Sequence, residues 1–102
     1  MNMGAEIKNV EGIVSFIEGK PVTDLQATLK IIMDDNQCVY VDGYSGKVSQ
    51  EDKEADCTLI LSLQDMSEIL SGALNPTAAF MQGKLKIEGD MGIAMRLQSF
   101  FG

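Results

Sequence analysis

Residues 91–101 carry apolar side chains around most of a helical circumference, and no other part of the chain constrains the fold as strongly. At helical spacing these side chains cover about 220° of arc, whereas a helix on a protein surface needs little more than about 100°. Either this helix lies centrally in the core, or part of its arc lines a pocket or a partner surface for an apolar ligand. The arc contains Met91, Ile93, Ala94, Met95, Leu97, Phe100 and Phe101.

Two observations favour a pocket. Gln98 falls inside the apolar arc, where burying an amide without a partner costs a few kcal/mol. Its amide therefore bonds to backbone, to water or to a ligand head group. Four of the seven methionines lie in helical segments after Ser62, and unbranched thioethers tolerate ligands of varied shape. A methionine-rich helix face is nevertheless more often part of a core than of a pocket.

Hydrophobic periodicity divides the N-terminal half of the chain into one helix and several strands. Apolar residues at helical spacing predict a helix over residues 5–18. Alternating apolar residues predict strands over 25–33 and 38–42, joined by a turn into a β-hairpin. Residues 47–49 are a candidate edge strand, and the charged residues 51–56 are typical of a solvated loop.

Caps and stops define the elements of the C-terminal half. An apolar run predicts a strand over residues 57–62, and alternation predicts another over 84–89. Cap residues followed by glycines predict short helices within 62–72 and 75–83, and a further cap opens the helix that begins at residue 91. The caps are Ser62, Asn75 and Asp90, and the stops are Gly72 and Gly83.

The predicted order of elements is α-β-β-β-β-α-α-β-α. This order is typical of an α+β fold in which helices cover one face of a mixed sheet. With 102 residues and no linker or low-complexity run, we interpret residues 1–102 as a single domain.

Composition argues against several functional classes. The formal net charge of −7 disfavours nucleic-acid binding, which depends on cations that neutralise phosphates. The chain has no histidine, the commonest general base and metal ligand, so we predict no enzyme activity, metal or cofactor. Cys38 and Cys57 lack CxxC spacing and are predicted to be buried, reduced thiols. No run approaches the length of a membrane-spanning helix and no signal peptide is evident, which predicts a cytoplasmic protein without stable membrane insertion.

A long and specific motif follows the predicted loop. Ala-Asp-Cys-Thr occupies residues 55–58, and Asn-Pro-x-x-Ala-Phe-x-Gln-Gly-Lys-Leu-Lys-Ile-x-Gly-x-Met-Gly-x-Ala-Met-x-Leu-Gln runs from residue 75 to residue 98. With the hairpin upstream, this motif resembles the sterol carrier protein type 2 domain family. The resemblance implies a five-stranded mixed β-sheet with helices packed over one face, enclosing a hydrophobic tunnel. It also implies binding of fatty acids, fatty acyl-CoA, sterols or phospholipids without covalent chemistry.

The resemblance further implies which residues contact the lipid. Gln82 and Gln98 match polar positions of the motif and are candidate anchors for a ligand head group, although Gln82 is equally suited to bonding backbone near Gly83. The implied tunnel wall consists of Leu59, Leu61, Ile69, Leu70, Phe80, Met81, Leu85, Ile87, Met91, Ala94, Met95, Gln98 and Phe101.

Two departures from the family pattern leave alternatives open. The chain is acidic where the animal carriers are basic, which puts docking on anionic membranes in doubt. Its N-terminal region is shorter than usual, so a second subunit is a candidate for completing the tunnel. The leading hypothesis is binding and transfer of an apolar lipid. The alternative is an accessory module that uses the apolar face of the last helix to form a homodimer or to contact another protein.

Overall fold

The computed structural model describes residues 9–101, and it describes the side chains of all of these except 35 and 97–101. No helix in this part of the chain is long and apolar enough to cross a bilayer. The helices are α1 Val10–Glu18, α2 Leu63–Ser71, α3 Pro76–Met81 and α4 Met91–Phe101. The strands are β1 Thr28–Ile32, β2 Cys38–Asp42, β3 Val48–Ser49, β4 Cys57–Ile60 and β5 Lys86–Gly89.

The five strands form one mixed sheet in the order β3-β2-β1-β4-β5. The middle strand, β1, pairs antiparallel with β2 and parallel with β4, so Leu29 has Val41 on one side and Cys57 on the other. Strand β3 pairs antiparallel with β2 at one edge, and β5 pairs antiparallel with β4 at the other. The predicted hairpin, the short edge strand and the mixed sheet are confirmed.

Alternation along the strands gives the sheet a buried inner face and a partly exposed outer face. On β1, Leu29 and Ile31 are buried, whereas Thr28, Lys30 and Ile32 between them are partly exposed. The four helices cover the inner face. Their buried residues belong to the same hydrophobic cluster as the inner face of the sheet, and they include Val10, Ile13, Ile17, Met66, Ile69, Leu70, Ala79 and Ile93.

The predicted caps position the three C-terminal helices. The Ser62 hydroxyl accepts a hydrogen bond from the Asp65 N–H at 3.0 Å, and Gly72 ends α2 in the left-handed conformation. The Asn75 side chain accepts from the N–H of Thr77 at 2.8 Å and opens α3. The Asp90 carboxylate accepts from the Gly92 N–H at 2.8 Å and opens α4. These bonds satisfy backbone donors that a helix start leaves unpaired.

Several predicted boundaries differ from the structure. Strand β4 ends at Ile60 rather than at residue 62, and β5 begins at Lys86 rather than at residue 84. The predicted strand over residues 25–33 is wrong at its start, because Val22–Leu25 forms a 3₁₀ turn and Gln26 adopts a left-handed conformation with φ 52°. The Gln26 side-chain amide donates to the Thr23 carbonyl at 2.7 Å and stabilises this turn. The first helix begins at Val10 after an Asn9 cap, and residues 5–8 of the predicted helix lie outside the described part of the chain.

Gly89 lies at the closest approach between the edge strand β5 and the segment that leads into β4. It has φ +95°, and a Cβ atom built on it would lie 2.5 Å from the Asp56 carbonyl oxygen. The neighbouring Asp90 N–H donates to that same oxygen at 3.0 Å. Glycine therefore allows β5 to pair closely enough with β4 for α4 to start at Met91.

Both cysteines are buried free thiols, as predicted. Cys57 lies on the inner face of β4 with no exposed surface. Burial raises the pKa of the Cys57 thiol to about 11, and the negative charges of Asp90 and Asp56 contribute a smaller part of this increase. Burial also raises the pKa of Cys38, whose Sγ lies 3.5 Å from the Glu51 carbonyl oxygen. Neither thiol has the low pKa of a reactive nucleophile.

We expect Cys57 to be unreactive in the folded protein. In a Cys38→Ala variant at pH 8, only about one Cys57 thiol in a thousand is ionised, and the surrounding core blocks access to it. Its reaction with dithionitrobenzoate, followed by absorbance, should be at least about 100-fold slower in buffer than in guanidinium chloride. Rapid release of one equivalent of thionitrobenzoate from the folded variant would contradict this placement.

Candidate functional site

An apolar pocket lies between strands β4 and β5 and the helices α2, α3 and α4. Its volume is about 220 Å³. An engineered apolar cavity of about 150 Å³ is already large enough to admit benzene. The residues that line the pocket are Leu59, Met66, Ile69, Pro76, Thr77, Phe80, Leu85, Ile87, Met91, Ala94 and Met95.

The sheet supplies one side of the pocket. Leu59 and Ile87 stand opposite each other in the antiparallel register of β4 and β5, so both point to the inner face. Leu85 precedes Ile87 by two residues and lies on the same face. These three side chains form a continuous apolar floor because the two strands hold them in neighbouring positions.

Helices α2 and α3 supply a second side. Met66 and Ile69 lie three residues apart on the buried face of α2, so both reach the same part of the pocket. In α3, Ala79 is fully buried and anchors the helix to the core. Phe80 lines the pocket and is 43% exposed, which places it at the rim rather than in the interior.

Helix α4 closes the third side. Met91, Ala94 and Met95 follow the i, i+3, i+4 spacing of a single helix face, and all three line the pocket. Ile93 points into the core with 2% exposure. The Arg96 guanidinium donates to the Leu25 carbonyl oxygen at 3.1 Å and ties α4 to the 3₁₀ turn at Val22–Leu25. Helix α4 is therefore held in place by the buried Ile93 side chain and by the hydrogen bond of Arg96.

The surplus apolar arc of the last helix is partly explained by the pocket rim. Met91 is 47% exposed and Met95 is 73% exposed, although both line the pocket. The helix is therefore not covered all round by the core, as a purely central helix would be. Within its described side chains, the arc divides into a core contact at Ile93, a pocket wall at Ala94 and an exposed rim.

The chemistry of the lining is almost entirely apolar. Among the described residues that form the pocket, Thr77 alone brings a side-chain hydroxyl, and none brings a titratable group. Elsewhere in the described part of the chain, no cluster of acidic or cysteine side chains is suited to a metal ion. Such a lining can bury a hydrocarbon chain, and it offers a reacting group no general acid or base.

Eight of the residues implied by the sequence resemblance line this pocket together. They are Leu59, Ile69, Phe80, Leu85, Ile87, Met91, Ala94 and Met95. Contact of these residues with a lipid stays a prediction, as does the enclosed tunnel, since the described side chains form a pocket with an exposed rim.

The other implied residues lie elsewhere. Leu61 and Leu70 are buried in the core and do not line the pocket. Leu61 follows the end of β4 at Ile60, and Leu70 is rotated by about 100° from Ile69 around α2. Met81 is 79% exposed and Gln82 is also exposed, because both lie at the end of α3 past its buried residue Ala79. The side chains of Gln98 and Phe101 lie outside the described residues.

Three lining residues were not predicted from the sequence. Met66 shares the buried face of α2 with Ile69, so its helical spacing is the signal that could have found it. Pro76 and Thr77 form the first turn of α3. Their capping role predicts a helix start, and nothing in the local pattern indicates that this start faces a pocket.

Comparison with known proteins gives matches along almost the whole chain. The model of the SCP-2 sterol transfer family matches residues 3–102. Sterol carrier protein 2 of Rattus norvegicus is 50% identical over 62 residues, which are 58% of this chain and 11% of that protein. The chain therefore spans about a tenth of the length of this curated relative.

Solved structures share the fold. The sterol carrier protein domain 2 of Helicoverpa armigera superposes with a TM-score of 0.73 at 24% identity, covering 92% of this chain and 90% of that one. The solution structure of palmitated SCP2L2 from Aedes aegypti also gives a TM-score of 0.73, at 25% identity, covering 90% of this chain and 93% of that one. These structures confirm the predicted five-stranded mixed sheet with helices.

Proposed function

Because the chain belongs to the SCP-2 sterol transfer family, we propose that it binds an apolar lipid in the pocket between β4, β5 and helices α2 to α4. The family resemblance inferred from the 75–98 motif is confirmed by this match. The proposal extends to transfer of the lipid between surfaces, without covalent chemistry. The rat relative is about nine times longer than the matched region, so nothing outside that region is assigned to this chain.

The observation that carries the proposal is the composition of the pocket lining. Ten of its eleven residues are apolar, and the eleventh contributes one hydroxyl. Each methylene moved from water into such a site contributes about 0.8 kcal/mol. A charged head group would find no oppositely charged partner among the described lining residues, so we expect it to remain at the rim. The pocket therefore suits a hydrocarbon chain that enters tail first.

The palmitated Aedes aegypti structure supports a single acyl chain as the ligand class. The motif offers Gln82 and Gln98 as polar anchors for a head group, and the Gln98 side chain lies outside the described residues. Gln82 lies exposed at the end of α3, close in sequence to the rim residue Phe80. Their contact with a ligand is part of the proposal.

A chain-length series tests the proposal. Delipidated protein is titrated with a fluorescent fatty acid, which is then displaced by saturated fatty acids of increasing length. The displacing affinity should rise about fourfold per methylene and level off once the pocket is filled. The matched control is a dicarboxylic acid of equal length, which should displace poorly because its second carboxylate would be buried unpaired.

Two results would contradict the proposal. One is a folded, delipidated protein that fails to bind the fluorescent fatty acid at micromolar concentration. The other is an affinity that does not depend on chain length. The alternative hypothesis, a protein-interaction module or homodimer formed through the last helix, predicts the first result together with self-association or capture of a partner protein.

A further inference from the structure

Strand β5 is the most exposed strand of the sheet. It lies at one edge and pairs with β4 alone, so within the described chain one side of β5 has no neighbouring strand. Each of the strands β1 to β4 contains at least one buried residue, whereas β5 contains none. The opposite edge strand, β3, has only two residues. The free edge of β5 is therefore the longer of the two edges at which a strand from outside can pair.

Backbone alternation shows which groups of β5 face this free edge. The Asp90 N–H donates to the Asp56 carbonyl at 3.0 Å, so the backbone of Asp90 faces the β4 side. Along an antiparallel strand, successive residues direct their N–H and C=O groups to opposite sides. Ile87 and Gly89 therefore direct their backbone groups away from β4, where these groups can bond to a further strand.

Charged side chains of opposite sign lie on the two sides of Ile87. Lys84 and Lys86 precede it, and Glu88 and Asp90 follow it, all at alternate positions and all exposed. The ion pairs in the described part of the chain involve none of these four residues. The edge of β5 thus has no net charge, although the chain as a whole is acidic, and its lysines and carboxylates are equally spaced from Ile87.

We propose that β5 pairs antiparallel with β5 of a second copy of the chain, about a two-fold axis at Ile87. In this register Ile87 lies opposite Ile87 of the second copy, and the two exchange backbone hydrogen bonds. Lys86 lies opposite Glu88 and Lys84 lies opposite Asp90, and each contact occurs twice by symmetry. Directly opposed residues of an antiparallel pair contact each other, and opposite charges there stabilise the pairing.

The order of the charges favours this register over the others. Parallel pairing would place Lys86 against Lys86 and Glu88 against Glu88. Moving the two-fold axis to Lys86 or to Glu88 would likewise place that residue against its own copy. Lysines on an edge strand ordinarily prevent pairing for this reason. Here the carboxylates on the other side of Ile87 give the lysines a partner in a single register, and a second copy supplies those carboxylates by symmetry.

The charges beside the edge are compatible with this contact. On β4, the two residues paired with Lys86 and Glu88 are uncharged. Asp56, whose carbonyl is bonded to the Asp90 N–H, adds a negative charge on the side that receives Lys84 of the second copy. Each copy has a net charge of −7, so the copies repel each other at long range. Salt at physiological concentration screens this repulsion beyond about 8 Å.

Helices α3 and α4 adjoin β5 and extend the contact. The Leu85 N–H donates to the Ala79 carbonyl of α3 at 3.2 Å, and one residue separates β5 from α4. A two-fold axis perpendicular to the sheet keeps the helices of both copies on one face. The exposed Met81 and Met91 of these helices can then lose part of their contact with water. Pairing of such short strands buries less than about 1,200 Å², so we expect a weak and reversible dimer.

Sedimentation velocity over a concentration series tests the inference. We expect a monomer–dimer equilibrium with a dissociation constant below about 1 mM. Lys86→Glu should raise this constant at least about tenfold, because both symmetric ion pairs become pairs of like charge. Lys47→Glu is the matched control. It makes the same change in net charge at an exposed lysine before β3, at the opposite edge of the sheet, and should alter the constant less than about twofold.

Glu88→Lys separates the register from the effect of net charge. This variant makes the chain less acidic, so general repulsion between copies would decrease and association would strengthen. The proposed register predicts the reverse, a dissociation constant at least about tenfold higher, because lysines would oppose each other at both symmetric positions. An equimolar mixture of Lys86→Glu and Glu88→Lys should associate like the unmodified protein, since every opposed pair then joins a lysine to a glutamate.

Three results would overturn the inference. They are a protein that remains monomeric up to about 1 mM, variants that self-associate like the unmodified protein, and a mixture that associates no more strongly than either variant alone. The second result would assign self-association to another surface, such as the last helix. Circular dichroism verifies that the variants are folded.

The outcomes separate this inference from the proposed function. Neither Lys86 nor Glu88 lines the pocket, so both variants should bind the fluorescent fatty acid like the unmodified protein. Pairing through β5 without any fatty-acid binding would contradict the proposed function and leave the inference intact. Fatty-acid binding by a protein that never dimerises would do the opposite.

Discussion

Replacing Ala94 by phenylalanine should lower fatty-acid affinity by at least about 100-fold while the protein remains folded. Ala94 lines the pocket from the middle of the described part of α4 and is only partly buried. A cavity of about 150 Å³ accommodates benzene, so the added ring should occupy a large part of the 220 Å³ pocket. Because the new ring enters space that is already open, it should not strain the core as overpacking elsewhere does.

The matched control for this variant is Ala73→Phe. Ala73 follows α2, is exposed and does not line the pocket, so the same chemical change should leave affinity unaltered. Affinity is measured by displacement of the fluorescent fatty acid, and folding by circular dichroism and urea unfolding. A folded Ala94→Phe protein that binds like the unmodified one would place the ligand outside this pocket.

Replacing Gly89 by alanine should remove a large part of the free energy of unfolding. The added Cβ would lie 2.5 Å from the Asp56 carbonyl oxygen, and the residue would keep an unfavourable φ of +95°. Neither atom can yield easily, because both belong to the paired backbones at the edge of the sheet. We expect a loss of at least about 3 kcal/mol, against a total stability of about 5–15 kcal/mol for a domain of ordinary stability.

Gly72→Ala separates the two contributions to this loss. Gly72 has a similar φ of +88° at the end of α2, and a Cβ there would meet nothing within 4 Å. This variant should therefore show the cost of the left-handed conformation alone, about 1 kcal/mol. Urea unfolding curves of the two variants give the difference. Equal losses would show that the close approach of Gly89 to Asp56 does not constrain the fold.

Local signals in the sequence predicted helix starts and strand pairing well. Ser62 and Asn75 cap helices because their side chains satisfy backbone N–H groups within three residues, so the short sequence window contains the whole interaction. The motif of residues 75–98 added the family, which periodicity alone did not provide, and it supported the candidate edge strand as one of five.

Features that depend on contacts distant in sequence were predicted less well. Leu25 and Ala27 are buried as their alternation suggests, yet the left-handed Gln26 keeps this stretch out of the sheet. Periodicity reports which side chains are buried and not which backbone groups pair. It also placed Arg96 on the polar face of the last helix, and could not indicate that its guanidinium reaches the Leu25 carbonyl.

The pocket rim also depends on contacts that are distant in sequence, and periodicity does not report them. An apolar side chain that lines an open cavity has the same residue type as one in the core, so periodicity alone could not separate Met95 from Ile93, and only the family resemblance assigned Met95 to the wall. Leu61 and Leu70 are as buried as the pocket-lining residues Leu59 and Ile69, yet they do not line the pocket. The position of the open space has to be known before a wall residue can be distinguished from a core residue.

The distribution of buried residues means that a bound lipid would act as a removable part of the hydrophobic core. Helix α1 buries three apolar residues, whereas α3 buries only Ala79 and the described side chains of α4 only Ile93. A chain lying in the pocket would supply the contacts that α3 and α4 lack. Ligand binding would then raise the melting temperature, and the increase would continue with the logarithm of the free ligand concentration after the pocket is saturated. The emptied protein would open first at α3 and α4.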